Sequence, residues 1–186
     1  MKMKFLGLSL LALSASSLSP LAAFAADGDI TFIGVVTASA CTLNGFNGGT
    51  TTSGATMFLP SVTPSSFSSS GGGYAAMTDF TIDLKDCDIT TMKNAQVTFS
   101  GSPDSVDNAI LANNASSPAS GVGVAILENN GTKLVDINGG DASDGQALSV
   151  GNTSLKFKVA YKANTATPAV TAGNVSAKSF VNVTYY

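Results

Sequence analysis

Six stretches of this chain alternate apolar and polar residues with a period of two, and no helix-period run of useful length accompanies them. The sharpest sets Leu155, Phe157, Val159 and Tyr161 against Lys156, Lys158 and Lys162. Only an extended backbone keeps one such face dry and the other wet, so this is a half-buried strand. Phe80, Ile82 and Leu84 alternate with Thr81, Asp83 and Lys85 in the same way, running into Cys87. Val97 and Phe99 mark a strand over residues 95–100, and Val122, Val124 and Ile126 mark another with Gly123 and Ala125 between them. The chain ends on Val175, Ala177, Ser179, Val181, Val183 and Tyr185. Near the start, over residues 28–36, Ile30, Phe32, Gly34 and Val36 share one face while Thr31, Ile33 and Val35 share the other.

Between these stretches lie turn and loop residues. Residues 42–54 are rich in Gly, Thr, Ser and Asn and read as a loop. Met57, Phe58 and Leu59 form a short apolar piece that Pro60 confines to an edge or a strand end. Residues 61–73 and 102–121 read as loops, the second with an apolar island at Ala109, Ile110 and Leu111. Asn129-Asn130-Gly131 predicts a hairpin turn, with a second strand through Leu134, Val135 and Ile137. Residues 138–145 are a further turn region before Leu148 and Val150, and residues 165–173 are a loop containing Pro168. Short strands punctuated by turns predict an all-β sandwich.

The first 25 residues stand apart. Lys2 and Lys4 precede an apolar run over residues 5–13, and Ala23-Phe24-Ala25 supplies a small-x-small cleavage site. That is a secretory signal peptide, and no later stretch is long and apolar enough to span a bilayer. Its removal leaves residues 26–186, one domain's worth of chain. This remainder holds 7 lysines, no arginine and 12 acids, a net charge of −5, with no basic patch for nucleic acid or anionic lipid. Cys41 and Cys87 are the only cysteines, and an even count in an exported chain predicts a disulfide. Chemistry is harder to find. The chain has no histidine and no G-x-S-x-G, which removes the usual general base, the commonest zinc ligand and one serine-nucleophile motif. Asp136, Asn138, Asp141 and Asp144 depart from calcium-loop spacing and lack its terminal Glu, so they read as a solvated turn. No metal, cofactor or enzymatic activity is expected.

Several blocks, in order, resemble the chaperone–usher pilins, the fimbrial subunits of the type 1 pilus family. They are residues 28–36, Phe80-Thr81-Ile82-Asp83-Leu84-Lys85-Asp86-Cys87 and Gly121-Val122-Gly123-Val124-Ala125-Ile126-Leu127. Leu155-Lys156-Phe157-Lys158-Val159-Ala160-Tyr161 follows, and then the ending Val181-Asn182-Val183-Thr184-Tyr185-Tyr186, with tyrosine next to last. The resemblance spans essentially all of residues 26–186, although the Gly- and Thr-rich stretch after Cys41 looks longer than usual. It implies an incomplete immunoglobulin-like β-sandwich completed by donor-strand exchange. Residues 26–39 would be a donor-strand extension and residues 40–186 the pilin domain.

On that resemblance Gly28, Ile30, Phe32, Gly34 and Val36 would enter a neighbour's groove, while Val181, Val183 and Tyr185 would line this chain's own. Taken alone, residues 28–36 read simply as the first strand of their own domain. The implied partners are identical or related pilin subunits, a periplasmic chaperone and an outer-membrane usher, on a route through the periplasm to the cell-surface fimbrium. A minor or tip subunit, or a secreted carbohydrate-binding sandwich, is the competing reading. The absence of Trp, a preferred sugar-stacking residue, and a mature chain too short for an added receptor-binding domain favour a shaft subunit.

Overall fold

The computed structural model describes residues 40–67, 73–138, 140–164 and 170–186. The segments 1–25 and 26–39, read as signal peptide and extension, lie outside the described residues. The described chain forms β1 (Thr42–Phe46), a 3-10 turn at Pro64–Phe67, β2 (Tyr74–Cys87), β3 (Asn94–Gly101), β4 (Val122–Glu128), β5 (Gln146–Ala147), β6 (Gly151–Ala163) and β7 (Ser179–Tyr185). They make two antiparallel sheets, ordered β1-β2-β6-β4 and β5-β3-β7.

The alternation read from the sequence decides what lies between the sheets. Phe80, Ile82 and Leu84 of β2, Val97 and Phe99 of β3, and Leu155 and Phe157 of β6 are all buried in one core. Phe157 stacks on Phe80 at 5.6 Å and meets Phe99 edge-on at 5.1 Å, joining the two sheets through their rings. Such aromatic contacts add about 0.5–1.5 kcal/mol each beyond area burial.

β4 departs from simple alternation, since every residue from Val122 to Glu128 is buried. Its outer face is covered by Ile110, which packs with Ala125, Leu127 and Ala160 in a second small core. The apolar island in the long loop is therefore a lid on the sheet. Gly123 permits this close approach: a Cβ there would sit 2.6 Å from the Leu111 carbonyl oxygen. Burial of Glu128, with the nearby Asp144 charge, holds its carboxyl above the ordinary value of 4.5, although it accepts the Asp144 N–H at 2.6 Å. The folded state then binds this proton more tightly than the unfolded chain, so stability should fall as pH rises through and above 4.5. Glu128→Gln keeps an acceptor without the charge, and melting temperatures of this variant should vary less with pH across that window. An unchanged pH profile would refute the assignment.

Three expectations are corrected by pairing between distant segments. The stretch 42–54 is not all loop, because residues 42–46 add to the edge of β2 from Thr42↔Lys85 to Phe46↔Ile82. The hairpin turn forms, with Gly131 in the left-handed region at φ 73° and the Glu128 N–H donating to the Lys133 carbonyl. Its second strand, however, shrinks to a single bridge, Leu127↔Leu134. The final strand begins at Ser179, so Val175 and Ala177 pack against the core from outside any strand.

Candidate functional site: the open edge between the sheets

Where the two sheets end decides what the molecule can join. On the β4–β5 side they are stitched together. The Lys156 N–H donates to Gln146 Oε1 at 2.8 Å, Gln146 Nε2 donates to the Lys156 carbonyl at 3.1 Å, and Asp144 reaches Glu128. On the other side stand β1, at the end of one sheet, and β7, at the end of the other. Among the described residues no strand pairs with the outer edge of either.

The register shows which backbone groups face that edge. Asn94 and Tyr186 exchange both N–H···O=C bonds at 3.0 Å, and the pairing continues Ala95↔Tyr185, Gln96↔Thr184, Val97↔Val183 and Phe99↔Val181. Bonded and non-bonded pairs alternate in an antiparallel ladder. Thr184, Asn182 and Phe180 thus bond to β3, whereas Tyr185, Val183 and Val181 turn their N–H and C=O groups outward. The Val97 backbone agrees, exchanging bonds with Ser143 on the far side of β3 at 2.8 and 2.9 Å.

These same three residues point their side chains toward the core. Val181, Val183 and Tyr185 nevertheless remain half-buried, as do Leu43 and Phe46 on β1, while the inward residues of β3 between Ala95 and Phe99 are at most 1% exposed. An apolar floor and an outward row of donors and acceptors coincide along one edge, the arrangement that accepts an added strand. The Tyr185 hydroxyl spans from β7 to the Cys41 carbonyl at 3.3 Å, and its partial burial pushes its pKa up.

Cys41 and Cys87 form a disulfide, buried at the head of β1 and the end of β2, which holds the β1 side of this edge in place. The residues expected to line a groove, Val181, Val183 and Tyr185, fall together on β7 with the disulfide nearby. Gly28, Ile30, Phe32, Gly34 and Val36 lie outside the described residues. Sequence reasoning missed the opposite rim, Leu43 and Phe46. The available signal was their place directly after Cys41, which the disulfide carries alongside β2. Among the described residues no group of three or more Cys, Asp or Glu side chains is arranged to hold a metal, and no helix is long and apolar enough to cross a membrane.

Comparisons with known proteins agree with this architecture. The family described as Fimbrial protein matches residues 30–186. The laminin-binding fimbrial subunit ElfA of Escherichia coli O157:H7 is 37% identical over 162 residues, covering 86% of this chain and 84% of that protein. The probable major fimbrial subunit LpfA of the same organism is 36% identical over 184 residues, covering 98% and 97%. Among solved structures, a chaperone–usher pilus superposes with a TM-score of 0.63 at 23% identity, over 87% of this chain and 96% of that one, a likeness of fold.

Proposed function

The chain belongs to the fimbrial protein family, whose members are structural subunits of pili rather than enzymes, and on that premise we propose that it is a shaft subunit polymerising by donor-strand exchange. The β1–β7 edge is the acceptor. Residues 26–39 of the next copy are the donor, with Gly28, Ile30, Phe32, Gly34 and Val36 directed into the groove. One observation carries this reading: the half-buried Val181, Val183 and Tyr185 combine an inward apolar side chain with outward backbone groups on a free strand edge. Gly28 and Gly34 allow the donor backbone to approach where the groove is shallow.

A subunit with this edge open exposes apolar surface and is prone to self-association. A periplasmic chaperone therefore lends a strand until an outer-membrane usher exchanges it for the extension of the next subunit. The better-fitting donor drives the exchange, with no cofactor or nucleotide. Residues 1–25 direct export, and the assembled fimbria lies at the cell surface. The laminin-binding name of a 37% identical relative supports a contribution to adhesion.

The test is complementation in trans. A mature subunit lacking residues 26–37, made without a chaperone, should aggregate or be degraded. Adding a synthetic peptide of residues 26–39 during refolding should yield a soluble one-to-one complex by size exclusion. A stable monomer without peptide would mean the sandwich is already complete, and the reading would fail.

A further inference from the structure

β3 ends at Gly101, yet the pattern of its neighbour β7 runs on past that point. From Val175 to Tyr185 the odd-numbered residues are half-buried and the even-numbered ones exposed, without a break. Side chains that alternate in this way belong to one extended run, although only Ser179–Tyr185 is paired as a strand. The backbone bonds keep the same parity. Phe180, Asn182 and Thr184 bond to β3, whereas further back Asn174 and Ser176 bond to the segment 113–119. The Asn174 N–H donates to the Ser117 carbonyl at 3.0 Å, and its carbonyl accepts the Ala119 N–H at 2.9 Å. The Ser176 carbonyl accepts the Asn114 N–H at 2.8 Å. The Ser176 N–H donates to Asn113 Oδ1 at 3.0 Å, and Asn113 Nδ2 donates to the Asn174 carbonyl at 2.9 Å. An acceptor for one N–H and a donor for the carbonyl two residues back are what a neighbouring strand presents. The same amide also donates to the Ala119 carbonyl at 3.0 Å and accepts the Ala115 N–H at 3.2 Å, which uses its full capacity. Among the described residues nothing bonds to the N–H or C=O of Val175 or Ala177.

We propose that Asn113 is a positioning residue for strand acceptance, standing in for β3 beyond its end and prolonging the open edge of β7 as far as Val175. The inference rests on the donor-strand reading and specifies how far the acceptor reaches. β7 alone has 7 residues, whereas the donor stretch 28–36 has nine and would overrun it. Residues 175–185 make eleven, enough to pair the whole donor. Val175 and Ala177 offer both things that an added strand uses, apolar side chains packed on the core and unpaired backbone groups. Asn113 keeps those groups aimed outward. By holding Asn174 and Ser176 from the opposite side, its amide leaves Val175 between them facing the open edge. Without it the Ser176 N–H loses its partner, and the strap 174–176 is free to turn Val175 away.

The experiment is amide hydrogen exchange, resolved to single residues, in fibres of full-length wild-type, Asn113→Ala and Asn113→Asp subunits. Asn113→Asp keeps an oxygen for Ser176 and removes both N–H donors. In wild-type fibres Val175 and Ala177 should be protected together with Val181, Val183 and Tyr185, since one donor strand bonds to all five. In both variants Val175 and Ala177 should exchange rapidly while the three β7 residues stay protected. Melting of the chaperone-bound variants should match wild type. Rapid exchange at Val175 and Ala177 in wild-type fibres would overturn the extended edge, and variant fibres that keep their protection would overturn the role of Asn113. Loss of protection at all five residues, lowered melting, or no fibres from either variant would make Asn113 a general support of the fold and overturn the proposal equally. Rapid exchange at Val181, Val183 and Tyr185 in wild-type fibres would instead refute the donor-strand reading itself.

Discussion

Phe32→Arg is expected to leave the subunit folded and to abolish fibre growth. In the proposed fibre Phe32 is the largest donor side chain, buried in the neighbour's groove rather than in its own domain. Losing that burial removes about 1.5–3 kcal/mol. At about 1.4 kcal/mol per tenfold, this alone weakens the junction roughly ten- to a hundredfold. The guanidinium adds the cost of placing a charge among apolar groups, taking the loss to several kcal/mol. The subunit's own groove stays filled by chaperone, so melting of the chaperone-bound protein should not move. Normal melting with no fibres is the expected pair of results. If Phe32 packed into its own core, the same substitution would lower the melting temperature and the yield, and the donor assignment would fall. Unimpaired fibres would sink it equally.

Removing the disulfide is expected to have the next largest effect, this time on folding itself. Cys41 and Cys87 are 46 residues apart, and releasing a loop of that length restores unfolded-state entropy worth about 4 kcal/mol in the chain-entropy model. Against typical domain stabilities of about 5–15 kcal/mol, that is about a quarter or more of the total. The structure adds a local consequence. Cys41 starts the segment that enters β1, and its carbonyl receives the Tyr185 hydroxyl, so loosening it loosens both rims of the open edge proposed as the acceptor. Cys41→Ser/Cys87→Ser should lower the urea midpoint of the peptide-complemented subunit and reduce its yield. Intact-mass measurement of the wild type should show the loss of two hydrogens. A midpoint equal to wild type, or free thiols in folded wild-type protein, would refute this role.

Strands whose two faces differ can be read without any knowledge of the fold. β2, β3, β6 and most of β7 were legible because alternation is local: Phe157 between Lys156 and Lys158 records which face is dry whatever lies opposite. Cysteine count and the order of the blocks likewise pointed to the disulfide and the family, and the chain's penultimate tyrosine lies on β7, at the open edge between the sheets. For residues 28–36, outside the described residues, the alternation and the resemblance remain the basis of the donor assignment.

Which segments become neighbours emerges only from the folded chain. Residues 42–46 carry loop-like composition, yet they form β1 because β2 offers an edge and the disulfide delivers the chain to it. Leu134 to Ile137 has strand-like composition but makes only one bridge. Ile110 becomes core because it covers β4, a contact with no periodic signature. The coincidence of β1 and β7 at one open edge also arises only in the fold, because strand order brings together residues more than a hundred positions apart. No local pattern encodes that distance.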